Sequence, residues 1–160
     1  MNYKILFQVA LLVSISVSCS KTKTGPTPTT KTPQEYLLNK TWVFQHLVYV
    51  QNNTLGKYNR GGSSTIDLGK DAILFKSDGT GVYTNNDSEV FNITWQFTDN
   101  SETGMNYMIA DYANGHPSPG SNLTLTLENI NVNDHSFKYA EIYTSLGGNS
   151  TISSVERVPQ

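Results

Sequence analysis

The sequence predicts an all-β domain: an antiparallel up-and-down barrel of eight or nine strands with one short N-terminal helix. Three observations carry this. Beyond Trp42, apolar residues recur at alternate positions in run after run, which is the period of a strand and not of a helix. Short clusters of Gly, Asn, Asp and Ser separate the runs, so neighbours in sequence become antiparallel neighbours in space. A ladder of that length leaves two open edges unless it closes on itself, and closure removes them. The competing β-sandwich needs long crossovers, and only the segments Gln51–Ser64 and Asp111–Ser121 are long enough to make them.

Composition sets the outer bounds. The hydrophobic fraction is 37%, which limits 160 residues to one small core. A net charge of -2 gives no electrostatic case for nucleic acid. The single cysteine, Cys19, excludes an intramolecular disulfide, so packing alone must hold the domain.

Met1 to Lys4 is short and positively charged, Ile5 to Val13 is almost wholly apolar, and Ser14 to Ser18 is small. That is the layout of a secretory signal, and the apolar run is too short for a membrane-spanning helix. Ser16-Val17-Ser18-Cys19 resembles the lipobox of bacterial lipoproteins, with Ser16 where Leu is usual. The resemblance implies cleavage after residue 18 and acylation of Cys19, by palmitate or similar chains, on its thiol and new amino group. Two or more acyl chains hold a protein stably on a membrane. By resemblance to enteric lipoproteins, Ser20 after the cysteine implies the outer membrane. Lys21 and Lys23, where surface-exported lipoproteins carry acids, imply its periplasmic face. The domain plan is therefore a signal peptide at 1–18, the lipidated cysteine with a flexible tether at 19–31, and a barrel at 32–160. The tether has two prolines and no large apolar residue; it reaches up to about 40 Å at roughly 3.3 Å per residue.

Thr32 to Asn39 is the predicted helix. Thr32 suits the N-cap, Pro33 the first helical position, and Glu35 completes a capping box. In Thr41 to Val50, the residues Trp42, Phe44, His46, Val48 and Val50 are expected on one face, with the apolar Val43, Leu47 and Tyr49 on the other. Gln51 to Ser64 reads as a long polar loop and Thr65 to Leu68 as a short strand. Ala72 to Asn85 is a hairpin turning at Ser77-Asp78-Gly79-Thr80, where Gly79 supplies positive φ and Asp78 bonds its own backbone. Val90 to Thr98 alternates most cleanly, with Phe91, Ile93, Trp95 and Phe97 on one face. Further strands follow at Gly104–Ala110, Asn122–Glu128, Ser136–Thr144 and Thr151–Val158, with turns at Asn131–Asp134 and Gly147–Asn149.

The helix, Leu38-Asn39-Lys40-Thr41-Trp42, a long first loop and then a meander together resemble the lipocalin-like lipoproteins of Bacteroidota-type bacteria. Trp42 matches the Trp of the lipocalin Gly-x-Trp, with Lys40 in the Gly position. Asp71, Phe75 and Asp78-Gly79-Thr80 match an Asp, a Phe and an Asp-Gly-Thr of that group, and Thr94-Trp95-Gln96-Phe97 its later Trp-containing strand. Members with a cysteine pair around this hairpin differ from this chain, which has none there. The likeness spans Leu37 to Val158 and implies a calycin-like barrel.

No nucleophile elbow, phosphate loop or zinc motif is present, so no enzymatic activity, cofactor or metal is expected. His46, His116 and His135 lack ligand spacing; His116 shares a loop with Asp111, where a solvated histidine outweighs a metal ligand. Asp67 and Asp71 border a turn, where capping is the ordinary role. The inward face carries Trp42, Phe44, Phe75, Phe91, Trp95, Phe97, Tyr107, Phe137, Tyr139 and Tyr143. These either pack solid or line a pocket, because an eight-stranded barrel is just wide enough for either. The expected ligand-binding set is Trp42, Phe44, Phe75, Phe91, Trp95, Phe97, Tyr107 and Tyr139, with Trp42 and Trp95 as floor and wall and Tyr58 and His116 at the loops. The expectation is a membrane-anchored binding protein for a small apolar or amphipathic molecule. The alternative is an interaction or structural module at the outer membrane that uses loops or an exposed sheet face, as the apolar Val43, Leu47 and Tyr49 opposite Trp42 suggest.

Overall fold

The computed structural model describes residues 30–51, 54–144 and 150–160, without the side chains at 144 and 150. The expected signal peptide, Cys19, nearly all of the expected tether and the expected turn at Gly147–Asn149 lie outside the described residues.

Among the described residues, one helix, α1 (Pro33–Leu37), precedes eleven strands. They are β1 (Thr41–Gln51), β2 (Thr54–Asn59), β3 (Ala72–Phe75), β4 (Thr80–Thr84), β5 (Val90–Phe97), β6 (Met105–Ile109), β7 (Tyr112–Ala113), β8 (His116–Pro117), β9 (Leu123–Val132), β10 (Phe137–Thr144) and β11 (Ser150–Pro159). The main sheet has nine strands in the order β11-β10-β9-β6-β5-β4-β3-β1-β2, and β11 also pairs with β1. That last pairing closes eight strands into an antiparallel barrel, with β2 as an extra strand and β7–β8 as a separate hairpin. The closed meander is the architecture the alternation predicts, and the sandwich is excluded.

The local signals explain the elements. Thr32 caps α1 with its side chain on the Glu35 amide, and Glu35 returns a bond to the Thr32 amide. At the β3–β4 turn, Gly79 adopts φ 79°, and Asp78 accepts from both the amide and the hydroxyl of Thr80. In β5 the buried and exposed residues alternate as the sequence requires.

Three departures have physical causes. The β1–β11 register shifts between Phe44 and His46, so a bulge reverses the facing of the residues beyond it. Leu47 and Tyr49 consequently turn into the lumen, and Val50 lies exposed opposite Leu55. This corrects the expectation that His46, Val48 and Val50 continue the face of Trp42. The expected loop Gln51–Ser64 contains a strand, β2, paired with the upper half of β1. Its far edge is satisfied by the returning chain: Lys57 and Asn59 amides donate to Thr65 Oγ1 and Ser64 Oγ, each at 2.9 Å. Thr65–Leu68, expected as a strand, is this irregular return segment.

The barrel is sealed at one end. Leu37, Trp42, Phe75, Met105, Leu127 and Phe137 are all fully buried there. The Trp42 indole donates to the Leu37 carbonyl at 2.9 Å, which pins α1 across this end. Trp42–Phe137, Phe75–Phe137 and Phe75–Trp95 meet edge to face at centroid distances of 5.6, 6.0 and 5.4 Å, the preferred geometry for aromatic pairs. The Trp95 indole donates to the Thr80 carbonyl at 2.9 Å, tying the wall to the β3–β4 turn.

Candidate functional site

Above the aromatic plug the lumen is not filled. A cavity of about 480 Å³ opens at the end opposite α1, within the usual range for small-molecule sites. Leu47, Tyr49, Ile109, Leu123, Leu125 and Tyr143 form its apolar upper wall. Ile66 and Leu68, on the return segment after β2, close the side where β1 has passed from β3 to β2. The β7–β8 hairpin leans over the mouth. Its Tyr112 ring sits edge-on to Phe91 at 4.8 Å and to Tyr83 at 5.7 Å, and Asn85 Nδ2 donates to the Gly115 carbonyl at 3.0 Å.

The floor is polar. Arg157 is the cross-strand partner of both Phe44 and Phe137, so the register of β11 aims it inward between two aromatic rings. Its guanidinium lies 3.6 Å from the centroid of Phe44. Nη2 pairs with Asp71 Oδ1 at 3.1 Å, Nε donates to Tyr139 Oη at 2.9 Å, and Nη1 donates to the Trp42 carbonyl at 3.2 Å. Tyr83 Oη donates to the other Asp71 oxygen at 2.6 Å. Both charged residues are almost fully buried, 1% and 3% exposed, so this network sits in a medium where unpaired charge is costly.

Burial pushes the Asp71 carboxyl above its ordinary value, and Arg157 and Tyr83 pull against it. Burial also works against the Arg157 charge, but Tyr139 and Asp71 more than offset it and hold the guanidinium protonated. Glu141, on β10, lines the same cavity and accepts one long bond, 3.4 Å, from Tyr107 Oη. Its side chain is partly buried against the lumen wall, and that burial raises its carboxyl too, although Arg157 opposes the shift. Burial likewise raises the Tyr107 and Tyr139 phenols, which stay protonated.

The expected site residues divide by depth. Phe44 and Tyr107 line the cavity. Trp42, Phe75 and Trp95 belong to the plug, Phe97 packs against Trp95 at 5.7 Å, Phe91 backs Tyr112, and Tyr139 serves Arg157. Tyr58 is buried edge-on to Phe44 at 6.4 Å. His116 stands on the mouth hairpin, 3.8 Å from Asp87 and 3.9 Å from Glu89 rather than beside Asp111, and these three offer ligand atoms within 4.8 Å of one another. Asp71 is no turn cap but half of the buried ion pair. Arg157 and Glu141 were absent from the expected set. The signal for both is phase: each falls on the inward beat of an alternating strand, 157 after Val155 and 141 between Tyr139 and Tyr143.

No protein-family model matches the chain, and no curated protein matches it significantly. Function must therefore be read from the lumen itself.

Proposed function

We propose that this protein is a lipid-anchored, non-enzymatic binding protein of the bacterial cell envelope, with a lipocalin-like barrel that holds one small amphipathic molecule. The observation that carries the reading is the cavity: sealed by an aromatic plug, open at the other end, apolar above and polar below. Such a combination buries a ligand's apolar part and fixes its orientation through a few polar groups. The charged floor favours binding over catalysis, because Arg157 and Asp71 commit their hydrogen bonds to each other, to Tyr83 and Tyr139, and to the Trp42 carbonyl. The anchor comes from the signal layout and Cys19. The tether from Cys19 joins the barrel through α1, at the plugged end and not at the mouth.

Native mass spectrometry on Ser20–Gln160, a span that retains every described residue, tests this. After periplasmic expression and gentle purification, an adduct that is lost on denaturation is expected, and its mass gives the ligand class. An unliganded mass that persists after exposure to lipid and metabolite extracts sinks the carrier reading.

One observation favours the alternative of an interaction module. Val50, Leu55 and Ile152 are apolar and more than half exposed on the outer wall near the mouth. If that wall docks a protein, Val50→Lys abolishes co-purification of the partner without changing the unliganded fold.

A further inference from the structure

We propose that the lumen selects a cation, an alkyl or aryl ammonium whose charged end pairs with Glu141. The proposal rests on the cavity being a ligand site and names the class of ligand.

Three charged side chains line the cavity: Arg157, Asp71 and Glu141. One cation and two carboxylates leave a net charge of -1. Arg157 and Asp71 cancel at 3.1 Å, and the remaining bonds around them close the pair. Both Asp71 oxygens are taken, by Arg157 and by Tyr83. Arg157 is held by Tyr139, the Trp42 carbonyl and the Phe44 face. An anion entering the lumen meets a guanidinium whose charge Asp71 already balances and whose Nε, Nη1 and Nη2 each already donate one bond.

Glu141 is different. Among the described residues it has no ion-pair partner, and its hydrogen bond from Tyr107 is long at 3.4 Å. A carboxylate so placed is poorly compensated, and an ammonium group supplies both the opposite charge and hydrogen-bond donors. Tyr49, Tyr83, Tyr107 and Tyr112 also line the cavity, and a cation is attracted to an aromatic ring where an anion is not. The apolar wall of Leu47, Leu123 and Leu125 takes the uncharged part.

Calorimetric titration of Ser20–Gln160 with octylammonium, octanol and octanoate separates charge from chain, because the apolar tail is held constant. Octylammonium is expected to bind roughly tenfold or more tightly than the other two, the margin of one charge-assisted hydrogen bond. Glu141→Gln is expected to erase that margin, and an unchanged circular dichroism spectrum certifies the variant's fold. Equal affinities, a preference for octanoate, or a margin that survives Glu141→Gln overturns the inference and leaves the pocket standing. Binding of none of the three removes the pocket reading and this inference together. Should Glu141→Gln not fold, the wild-type charge series decides alone.

Discussion

Arg157 and Glu141 occupy one lumen but sit on opposite sides of an energetic divide, the first ion-paired and, among the described residues, the second not. Removing one member of a buried pair strands the other, at a cost of roughly 3–5 kcal/mol. Arg157→Met should therefore destabilise the barrel by about that much in urea unfolding, since Asp71, Tyr139 and the Trp42 carbonyl all lose a partner. The double variant with Asp71→Leu should recover part of the loss; strictly additive losses would deny the coupling. Glu141 makes a pH prediction. Its folded-state value is raised by burial, so the native protein holds that proton more tightly than the unfolded chain. The associated stability is complete below the unfolded value of about 4.3 and is lost as pH rises through the raised folded value. Asp71 is raised and acts with the same sign. Asp78, Asp99 and Asp134 are lowered by hydrogen bonds from Thr80, Thr103 and Lys40, and their contributions are lost only at more acid pH. The melting temperature should thus fall from about pH 4.5 towards neutrality, and Glu141→Gln should make that fall shallower. Parallel profiles would show that Glu141 does not titrate in this window.

Among the elements, β5 follows its sequence alternation throughout, because one face meets the core and the other meets water, while β9 follows it to Glu128 and slips at Asn129, which adopts φ 55°. β1 does not, because both of its faces are apolar. With Val43, Phe44, Leu47, Val48 and Tyr49 all greasy, alternation carries no phase, and the bulge after Phe44 is invisible in the sequence. β2 is hidden for the opposite reason: it is short, polar and contains Gly56. That glycine is needed, because a Cβ there would fall inside the Tyr49 ring lying across it. Gly56→Ala should cost roughly 1–3 kcal/mol of stability and push the Tyr49 ring towards the lumen, weakening any bound ligand. Thermal melts with and without ligand measure both effects, and an unchanged melt would place the ring elsewhere. The start of the helix was legible, since Thr32, Pro33 and Glu35 act within four residues and need no tertiary context; its end was not, because it stops at Leu37 rather than Asn39, with Leu38 extended and Asn39 at φ 60°. Thr32→Ala should cost about 1 kcal/mol, read as a lowered urea midpoint.

The whole molecule is a ring whose seam joins its first strand to its last. β1 meets β11 from Trp42–Pro159 to Tyr49–Ser153, and the amide of Gln160 donates to the Thr41 carbonyl at 2.9 Å. The barrel was readable because a single run of short turns leaves closure as the one way to hide both edges; the cavity was not. Whether aromatics fill a lumen depends on the depth at which each sits, and alternation gives facing without depth. Ending the chain before Ser150 should abolish cooperative unfolding, because it removes one wall, the seam and Arg157 together. A cooperative transition in that truncation would argue for an open sheet. The seam also sets a timetable. Arg157 bonds a carbonyl 115 positions earlier, so the contact that locks the floor is among the last that synthesis makes possible. Until the ten residues of β11 have left the ribosome, β1 keeps an unpaired edge and the lumen has a missing stave. A nascent chain in that state has neither its seam nor its floor, so the barrel cannot lock before its last strand is made.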